Sequence, residues 1–410
     1  MIREKDRIRV LYSFPNKLGA ARICYTAWQQ VNGLAAAGAD VTVFTGGLLR
    51  PVPEGVKVHT TLARGKLRIP YKLIGNGRAL ALHDYLVSRQ VEKSVGAFDI
   101  IHTWPSGALR TLRVAAAMKV PTVLERPNAH TRFAIEVVKK ECERLGVTMP
   151  SGHEHADNPE KIRLEEEEFR LADRLLCPSD FVASTFLREG FPADKLARTQ
   201  YGYDDKLFFP THEARDNNRG LTMLFVGGCA PRKGLHYALE AWLGSPAHVD
   251  GKFLIAGEFI PGYAEKLAPL LSHPSVEVLG HRKDVPELMR GSDIFVLSTL
   301  EEGSALVTSE ARGSGCVLLV SDAAGAICKH LENALVHQVR DVETLKHQLT
   351  MLHQDRGLLK QLRTASLSNL KELTWASAGM KLLDAYRETI TMRRDPELNE
   401  AVSPVLCQTR

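Results

Sequence analysis

With 410 residues, 44% of them hydrophobic and 25% charged, the chain is too long for a single core and reads as two or three soluble globular domains. A net charge of +5 is too mild to make nucleic acid the main partner, though it suits anionic small molecules or an anionic membrane surface. No run of about 18 apolar residues marks a transmembrane helix, the charged start Met1 to Arg7 lacks a signal peptide's apolar core, and the seven cysteines stand singly. These features fit a reduced, cytoplasmic protein with no disulfide framework and no zinc site.

Short apolar runs alternate with amphipathic segments along the whole chain. The first strand is expected over Ile8–Ser13, followed by Pro15-Asn-Lys-Leu-Gly19-Ala20 and a helix over Ala20–Ala37. Gly19 and Ala20 suit close approach of a ligand to the backbone, or a tight turn with no ligand. The run is not GxGxxG, so a nicotinamide dinucleotide fingerprint is missing. After a strand at Val41–Thr45 comes a basic stretch, Arg64 to Lys72 with Arg78, interleaved with Leu67, Ile69, Tyr71 and Leu73. It fits docking on anionic lipid, a grip on an anionic acceptor, or a solvated loop. A helix over Ala79–Val95 leads to a strand at Asp99–His102, which delivers His102 and Trp104 to its end. A helix over Ala108–Met118 follows, then a strand at Thr122–Glu125 that ends in Glu125-Arg-Pro-Asn-Ala-His130. Strand ends face the ligand crevice of open α/β sheets, so both clusters are candidates to meet substrate. His153-Glu-His155 lacks a third metal ligand and reads as an exposed loop. Glu160 and Glu168 lie in an acidic run that reads as a solvated helix face.

Further strands are expected at Arg174–Pro178 and Ala197–Tyr201, around a helix at Phe181–Glu189. The polar stretch Asp205 to Gly220 then reads as a linker. The scheme repeats with strands at Thr222–Val226, Lys252–Ala256, Val276–Leu279, Ile294–Ser298, Val317–Val320 and Ala334–Val336. Buried strands alternating with helices mean parallel sheets covered on both faces. The expectation is two doubly wound, Rossmann-like domains, 1–205 and 206–374, facing a ligand cleft, a last helix at about 375–391 returning to the first, and a weakly patterned tail at 393–410.

Two segments of the second half carry chemistry. Phe225-Val-Gly-Gly228-Cys-Ala-Pro-Arg232-Lys233-Gly234 takes a strand through a glycine turn into a helix, where amides and cations suit a diphosphate; a glycine turn with two solvated charges fits equally. Thr299 to Val317 holds Glu302 and Glu310 with seven residues between them. The pair Glu160 and Glu168 shows that the spacing alone is weak. The context is stronger: strand, Glu302-Gly303-Ser304-Ala305, helix through Glu310, then Gly315-Cys-Val317 into a strand. One carboxylate falls at a strand exit and the other about two helical turns on, able to hold two hydroxylated parts of one ligand.

Together these pieces resemble the retaining, nucleotide-sugar-dependent glycosyltransferases of family 4, which have the GT-B fold. The similarity covers most of residues 8–390, and its specific part is Glu302-Gly303 and Glu310-Ala311 with Gly315 and Val317. Gly227-Gly228 with Arg232-Lys233-Gly234 looks like the family's diphosphate loop. Pro178-Ser-Asp-Phe-Val182 and Tyr201-Gly-Tyr-Asp204 resemble its interdomain signposts. The resemblance implies that Glu302 holds donor-sugar hydroxyls and Glu310 the ribose, and that Arg232 and Lys233 neutralise the diphosphate. It also implies that the Gly303, Ser304 and Ala305 stretch faces phosphates and sugar, and that Gly280-His281-Arg282 lies near the nucleobase.

Two departures stand out. Gly228 occupies the place of a frequent arginine, so a phosphate cation must come from Arg232 or elsewhere. Trp104 occupies the second histidine of a frequent His-x-His, so His102 serves alone, His130 contributes, or catalysis differs. The implied activity is metal-independent transfer of a sugar, with retention, from a nucleoside diphosphate sugar to an acceptor hydroxyl that the sequence does not name. No cofactor and no nucleic acid are expected, and peripheral contact with the inner face of a membrane would run through residues 64–78. A nucleotide-sugar epimerase or phosphorylase of the same fold, and a non-catalytic nucleotide-sugar binder, are the competing readings.

Overall fold

A computed structural model describes residues 7–64, 67–68, 75–150, 152–153, 155–156, 158–211 and 219–394. Residues 212–218 of the linker expected at 205–220, most of the basic stretch 64–78 and the tail beyond residue 394 lie outside these residues.

The first sheet is built from β1 (Arg9–Leu18), β2 (Asp40–Leu48), β3 (Lys57–Thr60), β6 (Ile100–Thr103), β7 (Thr122–Glu125), β8 (Arg174–Cys177) and β9 (Leu196–Arg198). Its order is β3-β2-β1-β6-β7-β8-β9, with every pairing parallel. A separate antiparallel ribbon joins β4 (Ala63–Arg64) to β5 (Leu67–Arg68). The second sheet contains β10 (Thr222–Val226), β11 (Lys252–Ala256), β12 (Val276–Gly280), β13 (Ile294–Leu297), β14 (Val317–Ser321) and β15 (Ala334–His337). Its order is β12-β11-β10-β13-β14-β15, again all parallel. The strand order reverses between β1 and β6 in one sheet and between β10 and β13 in the other, and ligands bind in the crevice outside such switch points.

β1 runs on to Leu18, past the turn expected at Pro15, with a register irregularity between Phe14 and Lys17. A bulge tolerates proline's missing N–H, so the strand survives it. The acidic helix Pro159–Leu171 is not a uniformly solvated face. Glu165 and Glu168 are buried, and Glu168 accepts the backbone N–H groups of Ser106 (2.7 Å) and Ala108 (2.9 Å) just ahead of the helix Leu109–Ala117.

The last helix, Trp375–Arg394, lies on the helix Ile23–Ala36 of the first sheet. Gly33 and Gly379 meet at the crossing, where a Cβ on Gly379 would sit 2.5 Å from the Gly33 Cα. Leu382, Leu383, Tyr386 and Ile390 join the core around β1. The strand-like segment at Tyr203 pairs with Thr374, so the two chain crossings between the halves run side by side. Among the described residues no helix is long and apolar enough to cross a membrane.

Beneath the cleft a buried polar network ties this last helix down. Glu125 accepts from Gln30 Nε2 and from the Tyr201 hydroxyl, both at 2.8 Å. His102 Nδ1 bonds the Tyr386 hydroxyl at 2.6 Å, and its Nε2 lies 3.6 Å from Glu125. Burial pushes Glu125 up from 4.5 to about 7, although the bonds from Gln30 and Tyr201 pull the other way. A carboxyl that holds its proton more tightly folded than unfolded makes stability fall as pH rises from about 4.5 to about 7. Glu125→Gln removes this loss. Its stability relative to wild type should rise by on the order of 3 kcal/mol across that window and stay level above it. Denaturant midpoints at about pH 5 and about pH 8 measure the difference; one that does not change with pH rules the account out.

Candidate active site

The site grows from two loops at the β10/β13 switch point. β10 runs into Gly227 and Gly228, then the turn Pro231–Lys233, then the helix Leu235–Gly244. Gly234 has φ 65°, and a Cβ there would come within 1.8 Å of the Ser298 carbonyl oxygen, so glycine alone allows the two loops to touch. The contact is then hydrogen-bonded. The Arg232 carbonyl accepts from Leu300 N–H at 2.8 Å and from Thr299 Oγ1 at 2.9 Å.

This seam brings together most of the donor-side candidates. Glu302 Oε2 accepts from Arg232 Nη1 at 3.0 Å and from Lys233 Nζ. Burial would raise the Glu302 carboxyl, but Arg232 and Lys233 hold it below its ordinary value; burial lowers Lys233, with Glu302 opposing. The two cations thus face one carboxylate across a narrow, largely dry space, where charge is expensive unless paired. Gly303 forms the contact with the other half. Its carbonyl accepts from Ser179 Oγ at 2.5 Å, and a Cβ on it would come within 1.5 Å of the Pro127 carbonyl oxygen. Ser304 and buried Ala305 lead into the helix Leu306–Gly313. Glu310 is half-buried on that helix, and burial plus nearby Asp204 pushes it up to about 7. Tyr25, at the start of the helix Ile23–Ala36, feels the charge of both Asp204 and Glu310, so it stands near them across the cleft.

Other candidates fall elsewhere. His102 has no exposed surface; it packs against Tyr12 and Tyr386, and burial lowers it to about 3. Its strand end is covered by the last helix, so it lies under the cleft and not in it. His130 is 1% exposed inside a cage of Phe169, Phe186 and Phe191, again lowered to about 3 chiefly by burial, and it immediately precedes the helix Thr131–Leu145. From the same cluster it is Pro127 and Asn128, both partly exposed, that meet Gly303. Arg282 is held by Asp284 at 2.8 Å and 2.5 Å on an exposed loop, apart from the cluster of Arg232, Lys233 and Glu302. Gly19 has φ 85°, and its crowded side is filled by Arg50, which donates to the Gly19 carbonyl at 2.9 Å; Ala20 is next to it, partly exposed. Gly228 is exposed, with open space where a Cβ would lie.

Three further residues belong to this region. Glu301 is fully buried and accepts from Arg232 Nη1 at 3.0 Å and from His155 Nε2 at 2.8 Å. His155 is therefore not on an exposed loop: it is 5% exposed. Glu141, on the helix Thr131–Leu145, accepts from His236 (3.0 Å), Tyr237 (2.8 Å), Arg144 (2.7 Å) and Arg340 (2.9 Å). Burial alone would raise this carboxyl, but those bonds hold it well below its usual range. The helix packs on the turn Pro231–Lys233, and Leu145 and Val147 enter the core of the second sheet. Glu301 could be suspected from its neighbour Glu302; nothing local marks Glu141, and the His153-Glu-His155 run carries no sign of its distant partner Glu301.

Two doubly wound parallel sheets, with a cation turn and a glutamate loop meeting at the switch point of the second, are the GT-B architecture. It is shared with sucrose-phosphate synthase from Thermosynechococcus elongatus, at TM-score 0.67 and 17% identity over 94% of this chain and 100% of that one. It is shared also with Anabaena HepE, solved in complex with UDP, at TM-score 0.63 and 14% identity over 93% and 100%. The model for Glycosyltransferase Family 4 matches residues 25–207, and that for Glycosyl transferases group 1 matches residues 220–355. The chain belongs to this family of glycosyltransferases, and it is an enzyme of the transferase class. It is 23% identical over 393 residues, 87% of this chain and 90% of the relative, to D-inositol 3-phosphate glycosyltransferase of Paenarthrobacter aurescens. It is 24% identical over 288 residues, 64% and 68%, to UDP-Gal:alpha-D-GlcNAc-diphosphoundecaprenol alpha-1,3-galactosyltransferase of Escherichia coli.

Proposed function

We propose that the enzyme transfers a sugar from a nucleoside diphosphate sugar to an acceptor hydroxyl, with retention at the anomeric carbon and without a metal. The observation that carries this reading is the shared hold of Arg232 and Lys233 on Glu302 at the β10/β13 switch point. A diphosphate entering the turn takes over the two cations, and Glu302 is released to accept sugar hydroxyls. Leaving-group charge then falls on Arg232, Lys233 and the start of the helix Leu235–Gly244, a preorganised electrostatic contribution. Glu310, a carboxyl in the cleft near Tyr25, is assigned the ribose. His102 is left out of the chemistry, because a buried neutral imidazole bonded to Tyr386 is a packing group. Closure around Gly303 excludes water and so limits donor hydrolysis.

Uridine is the first nucleobase to test, since the relative from Escherichia coli is named for a UDP-sugar and Anabaena HepE was solved with UDP. A thermal-shift panel of UDP, GDP and ADP should give one nucleotide that raises the melting temperature by several degrees. Ligand at one hundred times its dissociation constant stabilises by about 2.7 kcal/mol. The shift should survive a chelator. If no nucleotide moves the melting temperature, the donor reading fails. Proton NMR of the product's anomeric centre decides retention against inversion.

A further inference from the structure

We propose that His155 and Glu301 are a positioning pair for Arg232, through which the first half of the molecule sets the phosphate-binding cation of the second. The inference rests on the donor reading above and goes beyond it in naming what holds the cation in place.

Glu301 and Glu302 are adjacent in the chain, and both carboxylates reach Arg232 Nη1, each at 3.0 Å. Glu302 keeps some exposed surface, and it is the carboxylate that a donor would displace from Arg232 and Lys233. Glu301 is turned inward with no exposed surface, and a carboxylate buried this deeply needs charged or hydrogen-bonding partners. It has two. Arg232 Nη1 donates to its Oε1 at 3.0 Å and to its backbone carbonyl at 3.0 Å. His155 Nε2 lies 2.8 Å from the same Oε1 and comes from the loop after the helix Thr131–Leu145, on the first sheet's side of the molecule. Glu301 Oε2 is buried and without a hydrogen-bond partner among the described residues. When Glu302 lets go, that oxygen is available for a second bond to the guanidinium, the two-point hold that arginine and carboxylate geometry favours.

His155 is carried to Glu301 by the closed arrangement of the two halves. The helix that precedes its loop is fixed to the second half through Glu141 and through Leu145 and Val147. Opening the cleft withdraws His155, leaves Glu301 with one partner fewer, and loosens Arg232. The cation is therefore well placed only when the first half is docked. His155 and Glu301 touch no reacting atom; they act through Arg232.

Isothermal titration of the full chain with UDP, GDP and ADP tests this. His155→Ala should weaken the nucleoside diphosphate that wild type binds by about tenfold. His155→Gln, which keeps a donor for Glu301, should recover most of the loss. In an Arg232→Ala background, His155→Ala should change the affinity by less than about twofold, because the group it acts through is gone. A purely structural role would cost the same in both backgrounds, and that result overturns the proposal. So does wild-type affinity in His155→Ala, or a His155→Gln variant as weak as His155→Ala. If wild type itself binds none of the three nucleotides, the donor reading fails and takes this inference with it. If wild type binds and His155→Ala binds equally well, this inference alone fails.

Discussion

Lys233→Ala is expected to lower kcat/KM by roughly 10²–10³, the usual loss when one preorganised donor to developing charge is removed. Glu302→Gln should fall by a similar factor, because it removes the anionic partner of Arg232 and Lys233 and weakens the contact proposed above to sugar hydroxyls. The two losses will not multiply. Each variant disables the same shared cluster, so the double variant should lose much less than the product of the single losses. The free protein tolerates Lys233→Ala, since Glu302 keeps its 3.0 Å bond from Arg232 and is not left as an unpaired buried charge. Steady-state kinetics with the donor picked out by the nucleotide panel measures all three. Single variants that keep activity within about tenfold of wild type would remove Lys233 and Glu302 from the chemistry.

The meeting of Arg232 and Lys233 with Glu302 was legible in the chain because its information is local. A buried strand, a glycine turn, two cations and a helix occur within a dozen or so residues, and the Glu302 loop repeats that grammar at the neighbouring strand. The parallel strands were legible for a similar reason: strands buried on both faces are nearly continuous apolar runs. β3 was missed because Lys57, His59 and Thr60 are exposed at the sheet edge, and an edge strand of four residues carries little pattern. Glu141 and His155 were illegible because their worth lies in partners far along the chain: His236, Tyr237 and Arg340 for one, Glu301 for the other. His102 shows the opposite failure. Its place at a strand end was read correctly, but whether that end opens on the cleft depends on Tyr386, 284 positions later, which covers it.

Gly303→Ala should abolish most activity without unfolding either sheet. The Cβ it adds would lie 1.5 Å from the Pro127 carbonyl oxygen and 3.0 Å from the Asn128 Cα, contacts with backbone that cannot swing aside. Gly325 already crowds the other side: a Cβ there would lie 2.4 Å from the Gly303 carbonyl oxygen. Ordinary overpacking costs about 1–3 kcal/mol through local shifts. Here the shift that relieves the clash is separation of the two halves at the Ser179–Gly303 bond, which undoes the closure that excludes water. The expected result is a loss in kcat/KM of at least about 10²-fold with an increase in the radius of gyration by solution scattering, while circular dichroism stays that of wild type. Gly228→Ala is the matched control. Nothing lies within 4 Å of its Cβ, so the free protein should be as stable and as compact as wild type, and any effect should be confined to donor affinity. If Gly303→Ala keeps wild-type kcat/KM, the contact between Gly303 and Pro127 is not part of the active arrangement, and the cleft works in a more open state than the one described.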